Sequence, residues 1–136
     1  MSLARADRDW LDAVRLGRPP GDFGHRDHLR LAWLLLADGR GLAAAQDDVS
    51  LAVKRIAEHH GVPQRYNRTV TDAWVRIVAH CRSAVPDARS IDELLAAVPW
   101  LLDKRLLLRH YSSRVLASDV ARREWVPPDL APIPAA

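Results

Sequence analysis

The stretch DFGHRDHLRLAWLLLADG, residues 22 to 39, joins a polar start to a long apolar run. Its two histidines are three residues apart, a spacing that places side chains on one face of a helix. From Leu29 onward, apolar residues occupy almost every side of the predicted helix, as is typical of a helix buried in a core. Gly39 and Gly41 end it. The stretch therefore predicts a buried central helix with two imidazoles at its first turn.

The whole chain has the length and composition of one globular domain. It has 136 residues, of which 49% are hydrophobic and 27% are charged, within the usual range for a single domain. No segment alternates apolar and polar residues as a half-buried strand does. We therefore expect an all-α fold, a single compact domain of five to seven helices around the buried second helix. The domain covers residues 1–126, and residues 127–136 form an extended proline-rich tail that is loose beyond Trp125.

Helical periodicity and helix-end signals divide the domain into elements. Ser90 and Glu93 form a capping box at the start of the fifth helix. Pro99 interrupts that helix and favours a new one with proline in its first turn. The predicted helices cover residues 7–16, 25–38, 42–60, 69–83, a segment after Ser90, 99–111 and a short piece within 113–124.

Cysteine content, charge and hydropathy limit the location and partners of the protein. The single cysteine, Cys81, excludes an internal disulfide and fits a reducing compartment. The first residues lack the apolar run of a signal peptide, and no apolar stretch is long enough to cross a bilayer. We therefore expect a cytoplasmic protein without a membrane partner. The net charge is +3, but the arginines are spread along the chain, which argues against a nucleic-acid partner.

The histidine pair has both a functional and a structural interpretation. The N-terminus of a helix disfavours imidazolium, so the pKa values of His25 and His28 should be lowered. Neutral imidazoles at such a place can accept a proton or bind a metal ion. The structural alternative is that they satisfy a polar network at the helix start. Asp27, in the same first turn, is expected to stabilise the helix N-terminus.

A metal site is the less favoured interpretation of the pair. Metal ions need three or four converging ligands, and the H-x-x-H spacing supplies two. No other histidine lies in a paired metal-binding motif. We therefore expect no metal and no cofactor, while a metal-dependent enzyme with His25 and His28 as ligands remains an alternative.

Two further polar segments are candidates for the same site. In RYNRTVTDAW, residues 65 to 74, Asn67 or Thr69 caps the fourth helix, and Thr71 falls on its inward face. In RHYSSR, residues 109 to 114, His110 ends a helix, where imidazolium is favoured. Groups whose pKa values are pushed apart can serve as acid and base, provided that these helix ends meet.

Taken together, the three segments resemble a family of small, uncharacterised bacterial helical proteins. The pattern of that family is F-x-H-x-x-H-L-x-x-A-W near the start, Y-H-E-T-x-T-x-A-W in the middle and W-V-x-P-D-L-x-P near the end. Within residues 22–134 the chain matches most positions, but it has Asn67 and Arg68 where the pattern has His and Glu. The resemblance implies a site but no particular reaction, and the two differences remove potential metal ligands or acid–base groups.

These observations predict a small-molecule pocket between facing helices. The leading hypothesis is a cofactor-independent acid–base enzyme, in which a histidine is the base and a tyrosine donates a hydrogen bond to the substrate. The alternative is a non-catalytic ligand-binding or regulatory module. The predicted catalytic residues are His25, His28, Tyr66 and Tyr111. The predicted ligand-binding residues are Phe23, Trp33, Thr69, Thr71, Trp74 and His110.

Overall fold

The computed structural model describes residues 3–135, so residues 1, 2 and 136 of the predicted domain and tail lie outside the described residues. Residues 3–135 contain no strand, and the predicted all-α fold is confirmed. No helix in this range is both long and apolar enough to cross a lipid bilayer. The α-helices are α1 (Arg5–Arg15), α2 (His25–Ala37), α3 (Leu42–His59), α4 (Arg68–Ala84), α5 (Ile91–Ala97), α6 (Ser113–Leu116) and α7 (Asp119–Arg123). Three 3₁₀ segments cover Pro63–Arg65, Pro99–Leu102 and Lys104–Arg109.

The core forms where α2, α3 and α4 pack against one another. All residues from Leu31 to Leu36 are buried, so the apolar run of α2 lies inside the protein as predicted. The share of residues that are buried is slightly larger in α4 than in α2. α4 is covered by α2, α3 and α7. This places the first turns of the two central helices within reach of one site.

Side-chain caps fix the starts of α4 and α5. The Asn67 side chain accepts a hydrogen bond from the Val70 amide at 3.0 Å, so Asn67 rather than Thr69 caps α4. Ser90 accepts from the Glu93 amide at 3.1 Å and caps α5, as predicted. Such caps satisfy amides that have no partner within the helix.

The predicted continuous helix over residues 99–111 is wrong. Pro99 does begin a helical segment, but Asp103 adopts an extended conformation and divides the stretch into two 3₁₀ segments. The Asp103 carboxylate accepts from the Arg105 amide at 3.0 Å and caps the second segment. Aspartate favours such local bonds over helix interiors. The first segment bonds to the start of α2 through the Leu101 carbonyl and the His25 ring. Residues of the second segment, Lys104–Arg109, lie across a cleft from the same helix start.

The chain after α7 is held against the helices, so the prediction of a loose tail is wrong. The Tyr111 hydroxyl donates to the Val126 carbonyl at 2.6 Å, and the Leu130 amide donates to the His110 carbonyl at 3.0 Å. Farther along, the ring of His80 bonds to the Ala135 carbonyl at 2.8 Å. Trp125 packs edge-on against Tyr111 and under the guanidinium of Arg76. Proline-rich chains lack internal hydrogen bonds, so these bonds to the domain fix its course.

Replacing Thr69 with valine is expected to destabilise the protein by about 1–3 kcal/mol. The Thr69 hydroxyl is fully buried; it donates to the Glu124 carbonyl at 2.8 Å and accepts from the Val126 amide at 3.1 Å. Valine keeps the shape and leaves both groups unpaired. Thr71→Val is the matched control, because Thr71 is buried on the same helix and has no hydrogen bond of its hydroxyl within residues 3–135. Urea unfolding measures both, and equal losses would contradict a specific role for Thr69.

Candidate functional site

A cleft of about 510 Å³ lies between the start of α2, one face of α4 and the segment Lys104–Arg109. We call it the histidine cleft, because both His25 and His28 line it. Its volume is within the range of small-molecule sites. The other lining residues are Phe23, Gly24, Val70, Trp74, Lys104, Arg105, Leu107, Leu108 and Leu116.

The ring of His25 is fixed by two contacts. Its Nε2 lies 2.8 Å from the Leu101 carbonyl oxygen. Because a carbonyl only accepts, Nε2 carries the proton, and Nδ1 of the neutral ring is left with its lone pair. The ring also packs edge-on against Trp74, with centroids 4.5 Å apart. One tautomer and one orientation are therefore favoured for His25.

His28 lies one turn farther along α2, beside Phe23. The centroids of these two rings are 4.7 Å apart. Neither ring nitrogen of His28 has a hydrogen-bond partner within residues 3–135. A polar ring in an apolar setting usually has a partner, so these nitrogens are open to a ligand.

The pKa values of both histidines are lowered, in the direction predicted from the sequence. Burial is the main cause of the lowered pKa of His25, with a smaller contribution from the positive charge of Lys104. Burial also lowers the pKa of His28 to about 4, assisted by the proximity of His25. Desolvation by burial is the main cause for both rings, and not the helix N-terminus that the sequence led us to expect. Both imidazoles are consequently neutral at pH 7.

Asp27 has the structural role that the sequence predicted. Its carboxylate accepts a hydrogen bond from the Gly24 amide at 2.9 Å, which closes the first turn of α2. Asp27 does not line the histidine cleft. The carboxylate nearest in sequence to the two histidines is therefore engaged at the helix start.

The opposite wall brings residues that the sequence analysis missed. Lys104 and Arg105 add positive charge, and Leu107, Leu108 and Leu116 add apolar surface. The only signal in the sequence was the charged break DKR inside an apolar run, which the prediction of a continuous helix concealed. Of the residues that line the cleft in the described part of the chain, none is acidic.

The two predicted catalytic tyrosines do not join the histidines, so the single pocket predicted for all four residues is not formed. Tyr111 is fully buried, and its hydroxyl is bound to the Val126 carbonyl. Burial raises its pKa to about 12, which suits a structural hydroxyl. Tyr66 lines a separate cleft with Lys54 and Arg122. Tyr111 therefore contacts the chain after α7, and Tyr66 faces α3 and α7.

The predicted ligand-binding residues divide in the same way. Phe23 and Trp74 line the histidine cleft. Thr71 is buried as predicted but does not line the cleft, and Thr69 binds the chain after α7. Trp33 is in the core, and the His110 ring bonds to the Ala131 carbonyl at 2.9 Å. The predicted acid–base pairing of His110 with the α2 histidines is therefore not seen.

The two residues that differ from the family pattern both have structural contacts. Besides capping α4, the Asn67 side chain donates to the Leu116 carbonyl at 2.7 Å. Arg68 bridges Asp72 and Asp47, with both distances at 2.8 Å. Burial raises the pKa of Asp72, against the hydrogen bonds from Arg68 and Ser50. Asn67 and Arg68 thus join α4 to α6 and α3 and do not line the histidine cleft.

The protein is expected to purify without a stoichiometric transition metal. In the described residues, no group of three or more His, Cys, Asp or Glu side chains could hold a metal ion. His25 and His28 alone leave a coordination shell incomplete. Elemental analysis of protein prepared without a metal-affinity tag measures this. One equivalent of zinc, iron or copper that is lost in His28→Ala would instead support the metal-dependent alternative.

Comparisons of the chain with protein-family models, with curated proteins and with solved structures each find no match. The resemblance described above therefore stays a prediction.

Proposed function

We propose that the protein binds a small organic molecule in the histidine cleft and acts on it as a cofactor-independent acid–base enzyme, with His25 as the base. The observation that carries this proposal is the pair of neutral imidazoles beside Phe23 and Trp74 in one cleft. Apolar clefts with a few polar groups of lowered pKa are typical of small-molecule sites.

His25 is the better candidate for the base because its ring is oriented. The bond from Nε2 to the Leu101 carbonyl fixes the tautomer that leaves Nδ1 unprotonated. A base whose other nitrogen is held by an acceptor is a recurring arrangement in acid–base catalysis. A proton taken from the substrate would reside on Nδ1, while Nε2 keeps its own proton and its bond.

His28 is suited to binding rather than to proton abstraction. A base with a pKa of about 4 is weak at pH 7. Its neutral ring still offers one N–H donor and one acceptor nitrogen. We therefore give His28 the role of orienting the substrate by hydrogen bonds.

A non-catalytic binding module is the second candidate, and the position of the tyrosines favours it. Tyr111 uses its hydroxyl on the Val126 carbonyl, and Tyr66 lies in a separate cleft. The cleft thus lacks the tyrosine donor of the acid–base hypothesis. In this second function the same histidines bind the ligand without accepting a proton from it.

Hydrogen exchange in D₂O distinguishes the two functions. A mixture of small organic acids, ketones and aldehydes is screened by NMR for compounds that shift the His25 and His28 ring protons. For an enzyme, a compound that binds should exchange a C–H proton for deuterium, and His25→Gln should abolish the exchange. Binding without exchange would establish the module. Compounds that bind without shifting either ring, or no binding at all, would overturn the cleft as the site.

The variants His25→Gln and His28→Gln are each expected to melt within a few degrees of the parent while losing ligand binding or exchange. Site residues are commonly under-satisfied, so replacing them costs little stability. Glutamine can also keep a donor toward the Leu101 carbonyl. Thermal unfolding at pH 7.5 measures the first part. Losses of several kcal/mol in both variants would identify the histidines as structural core groups.

A further inference from the structure

The charges around the histidine cleft indicate which class of ligand it binds. This inference rests on the proposed function. We propose that the ligand is a small organic anion, with its apolar body against Trp74 and the leucines and its anionic group beside Lys104. Such a ligand is complementary to the cleft, where some lining residues are apolar and others are positively charged.

Both walls of the cleft contribute apolar side chains that could contact the body of a ligand. Val70 and Trp74 come from α4, and Leu107 and Leu108 come from the facing 3₁₀ segment. Leu108 is 46% exposed, which is unusual for a leucine beside a core. A ligand body that covers Leu108 would remove this apolar surface from water, the main favourable term in such binding.

Two cationic side chains, Lys104 and Arg105, line the cleft, and they differ in whether a carboxylate already pairs with them. Arg105 makes two side-chain bonds to the Asp103 carboxylate, at 3.0 and 3.2 Å, so its charge is compensated. Lys104 has no ion pair within residues 3–135. Its charge acts on both imidazoles, since it opposes the protonation of each. An anion beside Lys104 therefore meets one uncompensated cation and the neutral ring of His28, which can donate one hydrogen bond.

Binding of an anion in the cleft is coupled to protonation of the histidines. The titratable and charged groups around His28 are His25 and Asp27 on α2 and Lys104 across the cleft. Asp103 and Arg105, also on the facing side, are paired with each other. A bound anion favours imidazolium, so the complex takes up a proton as the pH falls, and affinity rises. A neutral ligand lacks this dependence.

The test uses three probes with one apolar chain and different head groups: octane-1-sulfonate, octan-1-ol and octyltrimethylammonium. The sulfonate stays charged between pH 5 and 7.5, so the pH dependence belongs to the protein. Calorimetric titration gives the affinity, and NMR of the histidine ring protons gives the place. We expect the sulfonate to bind at one site, about tenfold more tightly than the alcohol and more tightly still at pH 5.5, and the ammonium not to bind.

Two lysine variants form a matched pair. Lys104→Gln should weaken binding of the sulfonate about fivefold or more and leave the affinity for the alcohol unchanged. Lys54→Gln removes the same charge from an exposed lysine outside the histidine cleft, in the separate cleft of Tyr66, so it should change the affinity less than twofold. Equal effects of the two variants would show general surface attraction and overturn the proposal.

The remaining outcomes separate this proposal from the proposed function. Octanol or the ammonium binding in the cleft as tightly as the sulfonate would overturn the anion and leave the cleft as a small-molecule site. Sulfonate binding that does not shift the His25 and His28 ring protons would place the anion elsewhere and overturn it too. If none of the probes binds, the proposal that the ligand is an amphipathic anion is overturned. The screen in D₂O would still decide whether the proposed function is correct.

Discussion

Replacing Trp33 with alanine is expected to destabilise the protein by about 3–5 kcal/mol, which is a large part of the stability of a domain of this size. Trp33 is only 4% exposed and lies in the middle of α2, where the central helices meet. The guanidinium of Arg82 lies 5.2 Å from the centre of its ring, so the variant also loses a cation–π contact. The cavity left behind cannot close easily, because neighbouring leucines of α2 are themselves buried.

Trp100→Ala is the matched control for Trp33→Ala. Trp100 is 49% exposed and lies in the 3₁₀ segment Pro99–Leu102. Its replacement should cost less than about 1 kcal/mol, as is usual for surface positions. Urea unfolding followed by far-UV circular dichroism measures both variants, since that signal does not depend on tryptophan. Similar losses for the two would show that α2 does not lie at the centre of the core.

The stability of the protein is expected to fall by about 3 kcal/mol as the pH is lowered through the range between 6.5 and about 4, through His28 alone. In this range an unfolded histidine binds a proton, whereas His28 in the folded protein stays neutral because burial lowers its pKa to about 4. The unfolded state therefore gains protons that the folded state lacks, and acid favours unfolding. His25 acts in the same direction, since its pKa is also lowered, chiefly by burial.

The contribution of His28 is obtained by comparison with His28→Gln. The two proteins are matched at pH 7.5, where both carry a neutral side chain, and the difference between their unfolding free energies is then followed down to pH 4. The variant should become the more stable protein as the pH falls. Parallel curves for parent and variant would mean that His28 is protonated as easily in the folded state as in the unfolded one.

The helices were predictable because their signals are local. The apolar run Leu31–Leu36 identified α2 without any knowledge of its neighbours, and the cap at Ser90 was predicted from residue type. For α4 the sequence left the cap open between Asn67 and Thr69, and the structure shows that it is Asn67. Segments whose structure depends on a competing local bond were less predictable. Residues 99–111 have a helical apolar pattern, yet the cap at Asp103 divides them into two 3₁₀ segments.

The candidate site was predictable only where its residues share one helix. His25 and His28 lie on one face of α2, so their proximity follows from their spacing. The partners on the facing wall are nearly eighty residues away in sequence, and no local signal connects Lys104 with His25. Tyr111, in contrast, was predicted to belong to the site and does not. Its position beside polar residues suggested a site, but its hydroxyl is bound by the Val126 carbonyl, a partner fifteen residues away.

The chain after α7 has a consequence for the order in which the protein is made. Ribosomes extend proteins from the N-terminus, and domains fold as their segments emerge. The seven α-helices seen in residues 3–135 are synthesised before residues 126–135, which supply the acceptors for Tyr111, His110 and His80. A nascent chain stopped at Arg123 would hold every helix while these side chains still lacked their partners. Folding of this domain is therefore completed only after residues 126–135 have been made, and until then the incomplete domain is the form exposed to chaperones and proteases.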